Sequence, residues 1–197
     1  LYRVIYDLYV IRISDRREYN NDSNDKEDYY NLDYLIDDND NNKRKLVQFQ
    51  YMLWAGSSSL SYYLWLAPYI RFIHDNLKVP QTLSCDELLK SLKDKDNERH
   101  PFDEFDKSKL TYQNRPLYWL RRLDYYLWEE NEGKKDQDST ISSFCFRKGG
   151  LSIEHVHPQN QDQQDKDNKW QEENIHSFGN LVLISSSFNS TQSNDSV

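Results

Sequence analysis

Leu151-Ser-Ile-Glu-His-Val-His-Pro-Gln159 and Phe178-Gly-Asn-Leu-Val-Leu-Ile-Ser185 are the two stretches on which the fold of this chain turns. Leu151, Ile153 and the run Val182–Ile184 have strand character. They predict strands over 151–156 and 180–184 that pair antiparallel, with a long polar loop between them. Phe144 and Phe146 read the same way. Gly149-Gly150 then predicts a tight turn joining 144–147 to 151–156. Upstream of Ile141 the pattern is different. Apolar residues recur at helical spacing, and Ser84-Cys-Asp-Glu87 is a capping box, with Leu83 and Leu88 at staple spacing. Helices are predicted over 84–93, dissolving in the charged run Lys93–Arg99, and over 116–130, with Pro116 in the first turn. Leu117, Leu120, Leu123 and Leu127 then share the buried face of the second helix, and Arg121, Arg122 and Asp124 lie off it. Further helices are predicted over 1–17, from Tyr29 to Ile36, over Leu46–Trp54, and on both sides of Pro68, which either kinks a helix or starts the next. The Asn/Asp runs 20–25 and 37–42 read as loops, and 133–139 as a linker.

Chemistry concentrates in the strand region. Histidine has an ordinary pKa close enough to neutral to take a proton from water, which makes His155 a candidate general base. Glu154 precedes it. On a strand the two side chains point to opposite faces, so they serve one site only where the strand ends and twists. A carboxylate oxygen suits Mg²⁺ or Mn²⁺, and a neutral amide such as that of Asn189 is an adequate further hard ligand. Asn180, after Gly179 at a strand entrance, fits a turn as well as a site. His157 stands two residues after His155 and shares its face. That opens a zinc or nickel site with two imidazoles, beside the plainer reading of a polar residue at a loop entrance. An acid next to a histidine, with two asparagines across a hairpin, suits phosphodiester hydrolysis.

These residues resemble the HNH (His-Me finger) nucleases, and more narrowly the C-terminal nuclease domain of GmrSD-type, modification-dependent (type IV) restriction enzymes. The resemblance rests on Ile153-Glu154-His155-Val156, Pro158-Gln159, Trp170, His176–Ile184, Asn189 and Ser193-Asn194. The helix Leu117-Tyr-Trp-Leu-Arg-Arg-Leu123 also resembles one preceding that nuclease domain. It implies a mainly α chain: a helical domain over 1–140, then a ββα-metal module over 141–197. The closing helix of that module would start near Ser186, with only its beginning present. It further implies His155 as the base, Asn180 bracing the loop that carries it, and Glu154 with Asn189 on a Mg²⁺ or Mn²⁺ ion. His176 stands where the family often has histidine, close to phosphate or holding the loop. His157 departs from the family pattern, where an apolar residue is usual. Trp170 is expected to pack the 160–175 loop.

The implied activity is metal-dependent cleavage of DNA, in phage defence and directed at modified DNA, leaving 5′-phosphate and 3′-hydroxyl ends. A nucleotide-dependent N-terminal domain is the expected partner within the parent chain. The other class open to this sequence is a non-catalytic helical sensing or interaction domain with an inactive HNH module, which the acidic balance and short final helix favour.

Composition narrows the choice. With 15 Tyr, 8 Phe and 5 Trp the chain has the apolar bulk for a core despite its polar loops. A net charge of −8 argues against a broad electrostatic grip on nucleic acid. A bound cation supplies local positive charge in such a protein, and other parts of the parent are expected to hold the DNA. The chain starts without Met inside an apolar segment, as a fragment would. The Asp/Asn runs lack the alternation, Gly and terminal Glu of a calcium loop. Cys85 and Cys145 have no ligand spacing and read as reduced and buried. Leu60–Ile73, the most apolar run, is too short and too interrupted to span a membrane. A cytoplasmic protein is the expectation.

Overall fold

The computed structural model describes residues 1–15, 28–31, 41–56, 62–78, 83–134, 141, 144–146, 150–157, 159 and 170–185. The chain is mainly helical, with two small antiparallel strand pairs among the described residues, and it divides into two compact units, Leu1–Phe102 and Asp103–Val197. The expected module 141–197 lies inside the second unit, together with the helix upstream of it. The expected loops at 20–25 and 37–40, linker positions 135–139, Pro158, the closing helix from Ser186 and Asn189 all lie outside the described residues.

The first unit contains α1 (Tyr2–Tyr9), β1 (Arg12–Asp15), β2 (Asp28–Asn31), α2 (Asn41–Ala55), α3 (Tyr62–Asn76) and α4 (Cys85–Arg99). Its buried side chains include Ile5, Tyr9, Leu46, Phe49, Tyr69, Ile73, Leu88 and Leu92. The helix expected over 1–17 stops at Tyr9, and β1 follows. The physical reason is Gln50, which is fully buried. Its Oε1 accepts from Ile11 N–H (3.1 Å) and its Nε2 donates to Tyr9 O (3.0 Å), so these backbone groups find partners outside α1. The helix expected from Tyr29 is instead β2 where described, and β1 pairs with it from Arg12↔Asn31 to Asp15↔Asp28.

α3 runs unbroken through Pro68. The capping box at Ser84 forms: Ser84 N–H donates to Glu87 Oε2 (2.9 Å) and Glu87 N–H donates to Ser84 Oγ (3.3 Å). α4 does not dissolve at Lys93 but continues to Arg99. Its charges alternate in sign, and Lys90–Asp94 and Lys95–Glu98 pair along the helix, so the run that reads as a breaker supports helix.

The second unit contains α5 (Leu117–Asn131), β3 (Leu151–His155), α6 (Glu172–Ile175) and β4 (Leu181–Ser185). The loop expected over 160–175 thus ends in a helical turn. Leu120 packs with Ile153 and Leu181, and Leu117, Tyr112, Phe178 and Leu183 close around them. The leucine stripe of α5 is only half buried, however. Leu123 and Leu127 are 41% and 50% exposed, whereas Arg121, Arg122, Tyr125 and Trp128 are buried. Arg121, Tyr125 and Trp128 have helical spacing too, and aromatic rings and the arginine stem cover more area than leucine. The polar tips of the two aromatics are satisfied: Trp128 Nε1 donates to Ile141 O (3.1 Å), and Tyr125 Oη donates to Glu129 Oε1 (3.2 Å). Arg122 lies over the rings of Trp119 and Tyr126, at 5.3 and 5.8 Å from their centroids, so it does not form a solvated face.

Two more expectations fail here. The described residues 144–146 are not in a strand; Phe144 and Phe146 pack edge to face, with centroids 5.0 Å apart, while β3 has its expected pairing with β4. Cys145 is exposed, unlike the buried Cys85.

Candidate active site

β3 and β4 pair antiparallel from Leu151↔Ser185 to His155↔Leu181. Residues opposite one another share a face, so Ile153, His155, Leu181 and Leu183 lie on the side that packs against α5. Glu154 pairs with Val182 on the other face, and Val182 is 37% exposed. Inside the strand, Glu154 and His155 therefore point apart. His155 is its last residue.

Asn180 is 1% exposed. Its Oδ1 accepts from His157 N–H at 2.7 Å, and its Nδ2 donates to His157 O at 3.1 Å and to Ile175 O at 2.8 Å. Its own carbonyl accepts from Val156 N–H at 2.9 Å. One side chain thus closes a backbone-like ladder onto the segment after β3, beyond the end of the strand pairing. The preceding single turn, Phe178–Asn180, delivers the amide to this position.

His155 sits among three side chains. Gln159 Nε2 lies 2.8 Å from its Nδ1, and His176 Nδ1 lies 3.1 Å from its Nε2. The same Gln159 nitrogen lies 3.3 Å from the His155 Nε2, so the amide sits against the ring as a whole. Tyr112 is the third neighbour, with its ring centroid 4.3 Å from that of His155 and 6.0 Å from that of His176. The backbone supports this cluster: Tyr112 N–H donates to His176 O (3.0 Å), and Thr111 bridges to Ser177. Burial first, and then the neighbouring His176, hold the His155 pKa below its ordinary 6.5; Glu154 acts in the opposite direction. A neutral imidazole at neutral pH is the outcome.

The His157 ring stacks on Trp170, with centroids 4.6 Å apart and planes 18° from parallel. The ring nitrogens of His155 lie beside Gln159 and His176. Among the described residues, no three His, Cys, Asp or Glu side chains gather around a common point. Glu154 offers the donor type of a hard cation but is not a site alone. His176 also lines an open groove with Thr111, Gln113, Gln171, Glu172 and Glu173.

The structure thus brings together His155, His176 and, through the backbone of His157, Asn180. It keeps Glu154 on the opposite face of the hairpin. Sequence reasoning missed two neighbours. Gln159 could have been found, because it stands four positions after His155 within the quoted motif. Tyr112 carries no such signal, since it precedes α5 and reaches His155 only in three dimensions.

A family model described as GmrSD restriction endonucleases, C-terminal domain, matches residues 85–197. No curated protein and no solved structure gives a match. Among the described residues, no helix is long and apolar enough to cross a membrane.

Proposed function

This chain belongs to the family of GmrSD restriction endonuclease C-terminal domains, and from that premise we propose that it is a metal-dependent DNA endonuclease of the HNH type, directed at modified DNA. The family points to a nuclease acting on DNA. The finer reading is carried by one observation: a neutral histidine at the end of β3, held by Gln159 and His176, on a loop whose backbone Asn180 fixes.

His155 is the base in this reading. In this reading His155 carries its proton on Nε2, and its Nδ1 lies beside the exposed Gln159 amide, a partner that is easily displaced. A water in place of the amide stands within hydrogen-bond reach of Nδ1 and gives up its proton there as its oxygen attacks phosphorus. His176 accepts the Nε2 proton and keeps the ring in that tautomer, and Asn180 keeps the following backbone from moving. Glu154 and Asn189 would hold a Mg²⁺ or Mn²⁺ ion. When bound, that ion supplies positive charge to the phosphate and the leaving oxygen. The acidic groove side chains Glu172 and Glu173 favour a requirement for such a cation, since they repel bare phosphate.

A plasmid-nicking assay of the full-length protein with Mg²⁺, Mn²⁺, Ni²⁺ or EDTA tests the reading. Nicking with Mg²⁺ or Mn²⁺, none with EDTA and none by His155→Ala are the expected results. Undiminished nicking by each of His155→Ala, His157→Ala and His176→Ala, in preparations free of contaminating nuclease, defeats it. A protein that binds DNA and never cuts it is the sensing domain instead.

A further inference from the structure

We propose that Tyr112 is a positioning residue for the His155–His176 pair: its ring face fixes the planes of both imidazoles so that His155 meets water in one orientation. The inference rests on the nuclease reading for its consequence but on geometry for its substance.

Nothing in a strand fixes the plane of a histidine ring, because rotation about the bond to an sp² ring is broad and roughly two-fold. A half-turn exchanges Nδ1 with a ring carbon and destroys the relation to Gln159 and His176. Three contacts oppose that rotation. Two are the hydrogen bonds of 2.8 and 3.1 Å already described. Both are directional, but Gln159 is exposed and must move for water to enter. His176 then needs a support of its own, or the remaining bond is a loose hinge between two free rings.

Tyr112 supplies it. Its ring lies tilted against His155, at 46° and 4.3 Å between centroids, and is nearly parallel to His176, at 23° and 6.0 Å. One aromatic ring therefore touches both partners of the His155–His176 bond. The tyrosine itself is held on every side. Its N–H donates to His176 O (3.0 Å), and its carbonyl accepts from Arg115 N–H (3.1 Å). Arg115 has φ +48°, a left-handed residue that turns the chain directly into α5. The Tyr112 ring also packs on Leu120, Ile153 and Leu181. The ring is thus fixed by the same core that fixes β3, so the imidazoles and their support move as one body. The ring face positions the imidazoles, not the hydroxyl.

The test compares Tyr112→Phe with Tyr112→Leu in the full chain. Each protein is followed by the ring ¹⁵N shifts of His155 and His176 and by kcat and KM for plasmid nicking. Tyr112→Phe keeps the ring and is expected to match the parent in both. Tyr112→Leu keeps apolar volume without a planar face. It is expected to average the ring nitrogen signals toward a mixture of tautomers. It should lower kcat by roughly 10- to 100-fold, the scale set by misplacing a catalytic group by about 1 Å. KM should be unchanged, because the Tyr112 ring is placed against the two histidines. A core defect alone would lower the melting temperature without changing the ring spectra of the folded protein. Parent-like ring spectra in Tyr112→Leu overturn the proposal. A loss in Tyr112→Phe overturns it as well, whether or not the leucine variant folds, because it assigns the effect to the hydroxyl. A parent without nicking activity defeats the nuclease reading alone, and the ¹⁵N spectra still decide whether Tyr112 positions the pair.

Discussion

A buried amide pins backbone in each of the two units. In the first, Gln50 Oε1 accepts from Ile11 N–H, and its Nε2 donates to Tyr9 O and to the Tyr69 hydroxyl. In the second, Asn180 Oδ1 accepts from His157 N–H, and its Nδ2 donates to His157 O and Ile175 O. The physics is the same. Burying an amide is favourable only when its donors and acceptors are met, and both side chains use Oδ1 or Oε1 and both N–H groups. What differs is the backbone each amide holds. Gln50 holds the end of α1 and the Tyr69 hydroxyl. Asn180 holds the segment between His155 and Gln159. A satisfied buried amide is therefore a sign of fixed backbone, and it becomes a sign of function only through what that backbone carries.

The largest expected effect breaks the comparison at the site itself. His155→Ala should lower nicking by roughly 10²- to 10⁴-fold, the range for removing a general base, while leaving thermal stability within error of the parent. A full-rate variant would move the base to another group. The second experiment compares the amides directly. Asn180→Ala and Gln50→Ala each leave several backbone groups unmet, and each should destabilise its unit by roughly 2–4 kcal/mol in denaturant unfolding. Only Asn180→Ala should also reduce kcat per folded molecule. Equal kcat in the two variants would reduce Asn180 to a fold-holding residue.

A smaller effect sharpens the contrast between local and tertiary fixing. Ser84→Ala removes the α4 cap, whose partners lie within one turn. The loss should be about 1 kcal/mol, with no change in kcat. The smallest effect is a shift in pH dependence. Burial and His176 disfavour the cation of His155, so its folded pKa lies below 6.5. The unfolded chain then binds this proton at a higher pH than the folded one. The corresponding stability is present above the ordinary value and is lost as pH falls through the folded pKa. The active neutral form follows the same course, so the acid limb of kcat/KM should have its midpoint below 6.5. Gln50→Ala should leave that limb in place, and Asn180→Ala should move it up as water reaches the ring.

α4 and α5 show where sequence reading holds and where it gives out. Both helices span 15 residues, and both are visible in the sequence, α4 by its capping box and α5 by its periodicity. For α4 the buried set includes Leu88, Leu89 and Leu92, the residues its pattern offers. For α5 two stripes of helical spacing compete, one of leucines and one of Arg121, Tyr125 and Trp128. Periodicity states that a stripe exists but not which of two will be covered. The partners decide that, and the larger aromatic area prevails.

The amino-acid sequence alone determined what depends on near neighbours. It held the α4 cap, the helical character of α2 to α5, the antiparallel pairing of 151–155 with 181–185, and the motif that places the chain in its family. The places of His155 at the end of β3 and of Asn180 just before β4 were legible from the strand pattern. Tertiary structure decided what depends on residues distant along the chain. It ended α1 at Tyr9, because Gln50 takes the neighbouring backbone groups. It turned 12–15 and 28–31 into a hairpin and placed Arg121 and Arg122 inside. It also brought Tyr112 and His176 to His155. The reason is the same each time: backbone polarity and apolar area must be satisfied, and a local pattern specifies the demand without naming the distant group that meets it.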